Sequence, residues 1–291
     1  MSDSNLPVMI DGISAIADQF DGYLVDLWGC VHNGIEPYPE AVDALLKLAG
    51  QGKTISLLSN GPRRGVDLTE RLDQMGVPRE AYHYVMSSGE AAWHALADRP
   101  DEFHASFGNR CYHLGPPRDV SVFTGNGLSK ADSIAGADFI LNTGPVEYSH
   151  IVDTYREILG KALELRLPMV CANPDLLVHI GDDLVICAGL IAEKYNEMGG
   201  KVAYHGKPYA SVYDRCFEFL SGIDKRRIIG VGDGLRTDVF GAKKQGISSL
   251  FLSAGIHSED TGGMTPEPHL IREFAGRIAS IPDYASSRLR W

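Results

Sequence analysis

The sequence predicts an α/β fold in which a core built on a parallel sheet is interrupted by an inserted α/β domain. Short β-rich runs alternate with amphipathic helical segments along most of the 291 residues. This alternation is typical of parallel strands that are joined by right-handed helical crossovers. A separate group of strands and helices lies between about residues 90 and 200. We therefore predict a core from residues 1–90 and 201–291 and an inserted domain from residues 91–200.

The first part of the core is predicted to run strand, helix, strand, helix, strand. One helix starts at Pro39, where apolar residues begin to recur at helical spacing, and a second follows Pro62 and ends near Gly76. Glycine is the residue that most often closes a helix at its C-terminus. The three strands are the short apolar runs at residues 23–27, 54–58 and 84–86.

The insert and the second part of the core are predicted from the same patterns. In the insert, residues 148–162 show the spacing of an amphipathic helix. We expect the chain after about Ile281 to be loosely held. The other predicted elements are strands at 111–114, 138–141 and 168–172 in the insert, then strand 201–204, helix 210–220, strand 227–231, helix 239–245 and strand 249–252 in the core.

The composition excludes several classes of protein. With 27 Lys and Arg against 38 Asp and Glu, the formal charge of −11 argues against a nucleic-acid partner or an anionic membrane surface. No apolar run reaches the ~18 residues of a membrane span. The first basic residue is Lys47, so the chain lacks the basic start of a targeting peptide. We expect a cytoplasmic protein without a membrane partner.

The cysteines indicate a reducing compartment. They are odd in number, widely spaced and without a CxxC pair, so neither a disulfide framework nor a zinc site is expected. Cys30 and Cys187 are expected to be small apolar fillers.

Polar side chains follow several predicted core strands at their carboxyl ends, where parallel α/β sheets bind ligands. They include carboxylates, a hydroxyl, an amide and an ammonium group. The residues are Asp26 after the first strand, Ser59 and Asn60 after the second, Lys207 after the strand at 201–204, and Asp233 and Asp238 after the strand at 227–231.

These groups are the parts that a metal-assisted phosphoryl transfer needs. A carboxylate can act as the nucleophile through an aspartyl phosphate. Mg²⁺ prefers oxygen ligands, and cations and hydroxyl donors neutralise charge on the transferring phosphoryl group. The pattern therefore predicts a site for metal-assisted phosphoryl transfer.

The order of these residues resembles the four motifs of the haloacid dehalogenase superfamily. The stretch from Asp26 to Gly34 and the tripeptide Asn173-Pro174-Asp175 are similar to its sugar-phosphatase-like branch. The resemblance covers about residues 20–255 and implies a Rossmann-like core with a cap domain inserted between the second and third motifs. The motifs are Asp-x-x-Gly from Asp26, Ser59-Asn60, Gly206-Lys207-Pro208 and Gly232-Asp233-x-x-x-Thr237-Asp238.

The resemblance implies catalytic roles for three residues. Asp26 would be the nucleophile and a metal ligand. Ser59 would hydrogen-bond the phosphoryl oxygens, and Lys207 would bridge Asp26 and the phosphate.

The resemblance also implies the metal ligands and the substrate contacts. Asp233 would ligate Mg²⁺, Asp238 would be a ligand or support one, and the backbone carbonyl of Trp28 would face the metal. The residues expected to contact substrate are Asn60, Asn173 and Asp175. A homodimer through the cap is the assembly that this branch implies.

Trp28 departs from the family pattern. Phosphatases of this superfamily usually carry a second Asp at this position, which protonates the leaving group and later activates water. An indole can do neither, and a positioned acid/base contributes roughly 10²–10⁴ in rate. Three hypotheses follow: the substrate has a good leaving group, another residue such as His32 supplies the proton, or catalysis is weak and the protein mainly binds a phosphorylated ligand.

A further enzyme class stays open. An aromatic residue two positions after the nucleophile would suit a dehalogenase-like hydrolase that attacks carbon, but such enzymes need no metal, and Asp233 and Asp238 would then serve little purpose. Trp28 either packs over the site or forms a stacking platform for a ring-bearing substrate. The identity of the substrate is not encoded in any pattern that we can interpret.

Overall fold

The computed structural model describes residues 6–180, 183–278 and 280–291. The chain forms two compact units: a first unit of Met1–Ser59, Thr69–Met86 and Tyr213–Trp291, and a second unit of Asn60–Leu68 and Ser87–Val212. The domain boundaries at about 90 and 200 stay a prediction. In the described part of the chain, no helix has both the length and the apolar character needed to span a membrane.

The strands and helices alternate along most of the chain. In chain order the strands are β1 (Val8–Met9), β2 (Gly22–Val25), β3 (Thr54–Ser59), β4 (Tyr84–Ser87), β5 (Arg110–Leu114), β6 (Ser129–Lys130), β7 (Phe139–Asn142), β8 (Met169–Cys171), β9 (Leu177–Ile180), β10 (Asp183–Ile186), β11 (Val202–Tyr204), β12 (Ile228–Gly232), β13 (Ser248–Leu252) and β14 (Tyr284–Ser286). The helices are α1 (Pro39–Gly50), α2 (Gly65–Gln74), α3 (Ser88–Asp98), α4 (Glu102–Ala105), α5 (Arg156–Glu164), α6 (Ala188–Glu197), α7 (Ala210–Phe219), α8 (Phe240–Gln245), α9 (Ser258–Thr261) and α10 (Pro268–Gly276).

The first unit is built on a seven-stranded sheet with the order β1-β14-β13-β12-β2-β3-β4. The interior strand β2 is parallel to both of its neighbours, β12 and β3. Its residues Tyr23, Leu24 and Val25 are buried, as expected for a strand that is covered on both faces. Burying each such side chain stabilises the fold by about 1.5–3 kcal/mol. This confirms the predicted α/β fold with a parallel sheet.

The second unit is built on a five-stranded sheet with the order β11-β8-β7-β5-β6 and a β9–β10 hairpin. All pairs in the five-stranded sheet are parallel. Alternate residues of β7 pack into two separate apolar clusters: Ile140 joins one, while Phe139 and Leu141 join the other. Because side chains of a strand point to opposite faces in turn, both faces of this sheet are covered.

The strand at 201–204 was predicted to return to the core sheet, and this prediction is wrong. β11 pairs with β8 in the five-stranded sheet, with Tyr204 opposite Cys171. Val202 and Tyr204 also pack against the apolar cluster of the second unit. A three-residue strand carries no sequence signal that says which of two parallel sheets it joins.

Two further predictions need correction. The helix expected at 148–162 is shorter: α5 begins at Arg156 and follows a 3₁₀ turn at Val152–Tyr155. The Tyr155 hydroxyl accepts a hydrogen bond from the Val146 backbone N–H at 2.8 Å, which holds the preceding segment as a loop. The tail after Ile281 is not loose, because β14 lies inside the seven-stranded sheet between β13 and β1.

Candidate active site

Two carboxylates meet at the carboxyl edge of the first unit's sheet. Asp26 follows β2 and Asp233 follows β12, and these strands are adjacent and parallel. The Asp26 backbone N–H donates to the Val231 carbonyl at 2.8 Å, which continues the pairing of the strands up to the site. One oxygen of each carboxylate and the Cys30 sulfur all lie within 4.8 Å of one another. The three side chains are buried.

The backbone packs closely around the Asp233 carboxylate. Its Oδ2 accepts a hydrogen bond from the Ile256 backbone N–H at 2.9 Å. A Cβ on Gly255 would lie 1.9 Å from the same oxygen, and a Cβ on Gly29 would lie 2.3 Å from it. Glycine is therefore required at both positions, because any larger residue would push the carboxylate out of place.

Asp238 is buried in the turn that follows β12. Its Oδ2 accepts a hydrogen bond from the Gly234 backbone N–H at 3.0 Å. The Thr237 hydroxyl lies 3.4 Å from the same oxygen. Its carboxylate thus holds the loop that carries Asp233.

Trp28 lies over the loop that leaves the site. Its indole and the His32 ring meet edge to face, with ring centroids 5.7 Å apart. A Cβ on Gly34 would lie 2.3 Å from the indole Cη2, so the ring covers this glycine closely. Trp28 is still 38% exposed to solvent.

His32 is poorly suited to replace the missing acid. Burial, together with the positive charge of Arg71, lowers the pKa of His32 to about 4. Its Nδ1 accepts a hydrogen bond from the Gly34 backbone N–H at 3.0 Å, which places the proton of the neutral ring on Nε2. A neutral imidazole is a weak proton donor at neutral pH.

Ser59 and Asn60 lie where the chain passes from the first unit to the second. Ser59 is the half-buried last residue of β3, and Asn60 groups with the second unit. The Asn60 Oδ1 accepts from the Lys207 N–H at 2.7 Å and from the Ser88 hydroxyl at 3.2 Å. Its Nδ2 donates to the Lys207 carbonyl at 3.2 Å and to the Asp175 carboxylate at 2.8 Å. The Asn60 amide therefore fixes the backbone of the predicted catalytic lysine.

Asn173 shapes the loop that presents Asp175. The Asn173 Oδ1 accepts a hydrogen bond from the Asp175 backbone N–H at 3.0 Å, a local turn that asparagine commonly forms. The second unit thus brings Asn60, Asp175 and the buried Lys207 together, with Asn173 supporting Asp175.

We expect Asn60→Asp to destabilise the protein by about 1–3 kcal/mol and lower Tm by several degrees. The new carboxylate would lose both N–H donors and face the Asp175 carboxylate. Asn33→Asp is the matched control, because Asn33 is exposed and its Oδ1 only accepts hydrogen bonds, from Ile35 and Glu36. Thermal unfolding checks this, and an equal Tm for the two variants would contradict the role of the Asn60 donors.

A chain of hydrogen bonds in the second unit also holds the segment before Lys207. The His104 Nε2 lies 3.1 Å from the His205 Nε2. Asp101 bonds the His104 Nδ1 at 2.8 Å, and the Ser211 hydroxyl lies 3.2 Å from the His205 Nδ1. If both rings are neutral, every donor has an acceptor when the protons point from Ser211 towards Asp101.

The hydrogen-bonded histidine pair predicts that the protein loses stability in acid. Burial lowers the pKa of His205 to about 3, below the value of ~6.5 for an unfolded histidine. The unfolded state then binds the proton more tightly, so the contribution of neutral His205 is complete above pH ~6.5 and is lost as the pH falls towards 3.

We therefore expect His205→Asn to lower Tm and to reduce the acid sensitivity of Tm. The loss is at most about 1.4 kcal/mol per pH unit for one proton. Unfolding of both proteins between pH 7 and pH 4 measures this difference. A Tm gap between them that stays constant over this range would show that His205 does not take up the proton.

Sequence reasoning missed two features of these sites. Cys30 was expected to be an apolar filler, but its thiol donates to the Asp26 Oδ2 at 3.8 Å. Its position four residues after Asp26 is the only sequence signal for this contact. The His104–His205 pair joins residues about a hundred positions apart, and no motif marks it.

Two family models match the chain and together cover more than half of it. Residues 23–129 match the model described as haloacid dehalogenase-like hydrolase, and residues 204–274 match the one described as HAD-hydrolase-like. The chain is also similar to the 5'-nucleotidase YutF of Bacillus subtilis, with 22% identity over 87% of this chain and 95% of the relative.

Solved structures resemble the chain over most of its length. A haloacid dehalogenase-like hydrolase from Brucella suis aligns with a TM-score of 0.83 and 29% identity over 96% of this chain and 99% of that one. A glycerol phosphate phosphatase from Mycobacterium tuberculosis in complex with magnesium aligns with a TM-score of 0.63 and 22% identity, over 83% of this chain and 70% of that one. The latter likeness supports the fold alone.

Proposed function

The chain belongs to the haloacid dehalogenase-like hydrolases, and from this membership we propose that it is a Mg²⁺-dependent phosphatase of a small phosphorylated metabolite. The curated relative supports hydrolysis of phosphomonoesters, since it is a 5'-nucleotidase. The observation that carries the proposal is the convergence of Asp26 and Asp233 at the ends of adjacent parallel strands. Phosphoryl transfer needs a nucleophile and a cation ligand close to each other in space.

The donor set fits Mg²⁺. Asp26 and Asp233 offer carboxylate oxygens, which hard cations prefer. We propose the Trp28 carbonyl as a further ligand, and Asp238 as a ligand or as the residue that supports Asp233. When bound, Mg²⁺ supplies positive charge that stabilises the developing charge on the phosphoryl group.

The proposed reaction has two displacement steps at phosphorus, both of which involve Asp26. The Asp26 carboxylate attacks phosphorus and forms a P–O bond, and the bond from phosphorus to the leaving oxygen breaks. A phenolate or carboxylate then leaves without a proton, whereas an alkoxide takes one from solvent. Water then attacks the same phosphorus, which releases inorganic phosphate and regenerates the carboxylate. We assign Ser59 and Lys207 to the phosphoryl oxygens and Asn60, Asn173 and Asp175 to the substrate.

With Trp28 in place of an acid, the rate of hydrolysis depends on how good the substrate's leaving group is. The indole cannot protonate the departing oxygen, and the low pKa of His32 removes the nearby alternative. We therefore propose that substrates with good leaving groups, such as acyl or aryl phosphates, react faster than sugar phosphates.

Two other functions are compatible with the family. A protein that mainly binds a phosphorylated ligand is favoured by Trp28, whereas a hydrolase that attacks carbon would leave the Asp26–Asp233 pair without a cation to hold. A homodimer through the inserted domain stays a proposal.

We expect phosphate release from p-nitrophenyl phosphate and from an acyl phosphate with Mg²⁺, and none after chelation by EDTA. Release from a sugar phosphate should be slower by roughly 10²-fold or more, the share that a general acid supplies. Assays of the purified protein with all three substrates measure this. If Mg²⁺ binds but no substrate is hydrolysed, the ligand-binding alternative replaces the phosphatase.

A further inference from the structure

The loop after Asp26 brings a thiol to the paired carboxylates. The Leu27 carbonyl accepts hydrogen bonds from the Val31 and His32 backbone N–H groups at 2.9 and 3.1 Å, and this turn reverses the chain. Gly29, with φ +80°, supplies the left-handed conformation within the turn. As a result the Cys30 side chain points back towards Asp26, with its Sγ 3.8 Å from the Asp26 Oδ2.

The Cys30 sulfur completes a set of three metal donors. It lies within 4.8 Å of one oxygen of Asp26 and one oxygen of Asp233. A tetrahedral zinc ion with bonds of ~2.3 Å to sulfur and ~2.0–2.2 Å to oxygen holds its donors about 3.6 Å apart, close to the 3.8 Å between the Cys30 Sγ and the Asp26 Oδ2. Small rotations of buried side chains are therefore enough for all three donors to reach one ion.

The donor types separate hard cations from softer ones. Mg²⁺ takes oxygen ligands and gains nothing from a thiol. Softer divalent ions gain from thiolate ligation, whereas Mg²⁺ is suited by carboxylate, carbonyl and water ligands alone. The Asp233 carboxylate is held in place by the Ile256 N–H, which fixes one of the three donors before any ion binds.

We propose that Cys30 is a ligand for softer divalent cations such as Zn²⁺, Cd²⁺ and Co²⁺, which bind with Asp26 and Asp233 and displace Mg²⁺. The inference rests on the proposed phosphatase site because it shares both carboxylates. Its consequence is selective inhibition: a soft metal would stop the reaction even while Mg²⁺ is present in excess.

Co²⁺ is the probe, because a cobalt–thiolate bond gives a charge-transfer absorption in the near ultraviolet that oxygen ligands do not give. We expect this band when Co²⁺ is added to the wild-type protein and no band in Cys30→Ser. The affinity for Co²⁺ should fall by about tenfold or more in the variant, as expected when a ligand contact is lost. Cys216→Ser is the matched control, since Cys216 is a buried cysteine of the same unit whose neighbour Ser56, 3.7 Å away, can accept the new hydroxyl.

The outcomes separate this inference from the phosphatase itself. A band in the wild type and Cys216→Ser but not in Cys30→Ser supports the ligand. No band in the wild type, or a band that survives in Cys30→Ser, overturns it. Mg²⁺-dependent phosphate release is measured on the same wild-type sample. Phosphate release without a cobalt–thiolate band would contradict only the assignment of Cys30 as a ligand. A band without phosphate release would support that assignment and contradict the proposed phosphatase activity.

Discussion

Asp26→Asn is expected to lower kcat for p-nitrophenyl phosphate by at least about 10³-fold, because it removes the proposed nucleophile. An amide has the shape of the carboxylate but does not attack phosphorus, and it weakens one of the two carboxylate contacts to the cation. The backbone pairing of Asp26 with Val231 does not depend on the side chain, so we expect the variant to fold. Phosphate release measures the change.

Asp43→Asn is the control for the loss of one negative charge. Asp43 is exposed and pairs only on the surface with Lys47 at 2.8 Å, a contact worth about 0–1 kcal/mol. It should retain full activity. If Asp26→Asn hydrolysed the substrate as fast as Asp43→Asn, another group would have to be the nucleophile.

Trp28→Asp is expected to raise kcat for a sugar phosphate by about 10²-fold, the lower end of what a general acid supplies. The carboxyl group would stand where this family usually carries its acid. The indole is more than a third exposed and covers Gly34, so its removal should cost little stability. With p-nitrophenyl phosphate the change should be small, since that leaving group needs no proton.

Trp28→Asn is the control that distinguishes the effect of a new acid from the effect of a smaller side chain. It matches aspartate in size but has no proton to give. The ratio of kcat/KM for the sugar phosphate to that for p-nitrophenyl phosphate should rise only in Trp28→Asp. An equal rise in both variants would mean that Trp28 obstructs the substrate and that no acid was missing.

The sequence was most informative where local pattern and topology agree. Asp26 and Asp233 follow short apolar strands, and parallel strands bring their carboxyl ends to one edge, so their proximity could be predicted from the order of elements alone. Asn60 could be predicted as a site residue from its motif, but not its four hydrogen bonds to Lys207, Ser88 and Asp175.

The remaining features depend on contacts that no local pattern encodes. The three residues of β11 fit either parallel sheet, and only the pairing with β8 decides between them. The strand β14 is short and polar, and it is ordered because Ala285 pairs with Phe251 and with Met9 on either side. Cys30 looks apolar by composition, and its contact with Asp26 arises from the turn at Leu27.

The proposed reaction depends on phosphorylation of Asp26, which a rapid-quench experiment with p-nitrophenyl phosphate and Mg²⁺ would detect. Because Trp28 also cannot activate water, breakdown of the aspartyl phosphate should be slower than its formation, so the intermediate should accumulate. We predict a burst of close to one nitrophenolate per chain, and a phosphoryl group on the peptide that contains Asp26 in the quenched protein. Nitrophenolate release that is linear from the first turnover, with this peptide unmodified throughout, would contradict the account.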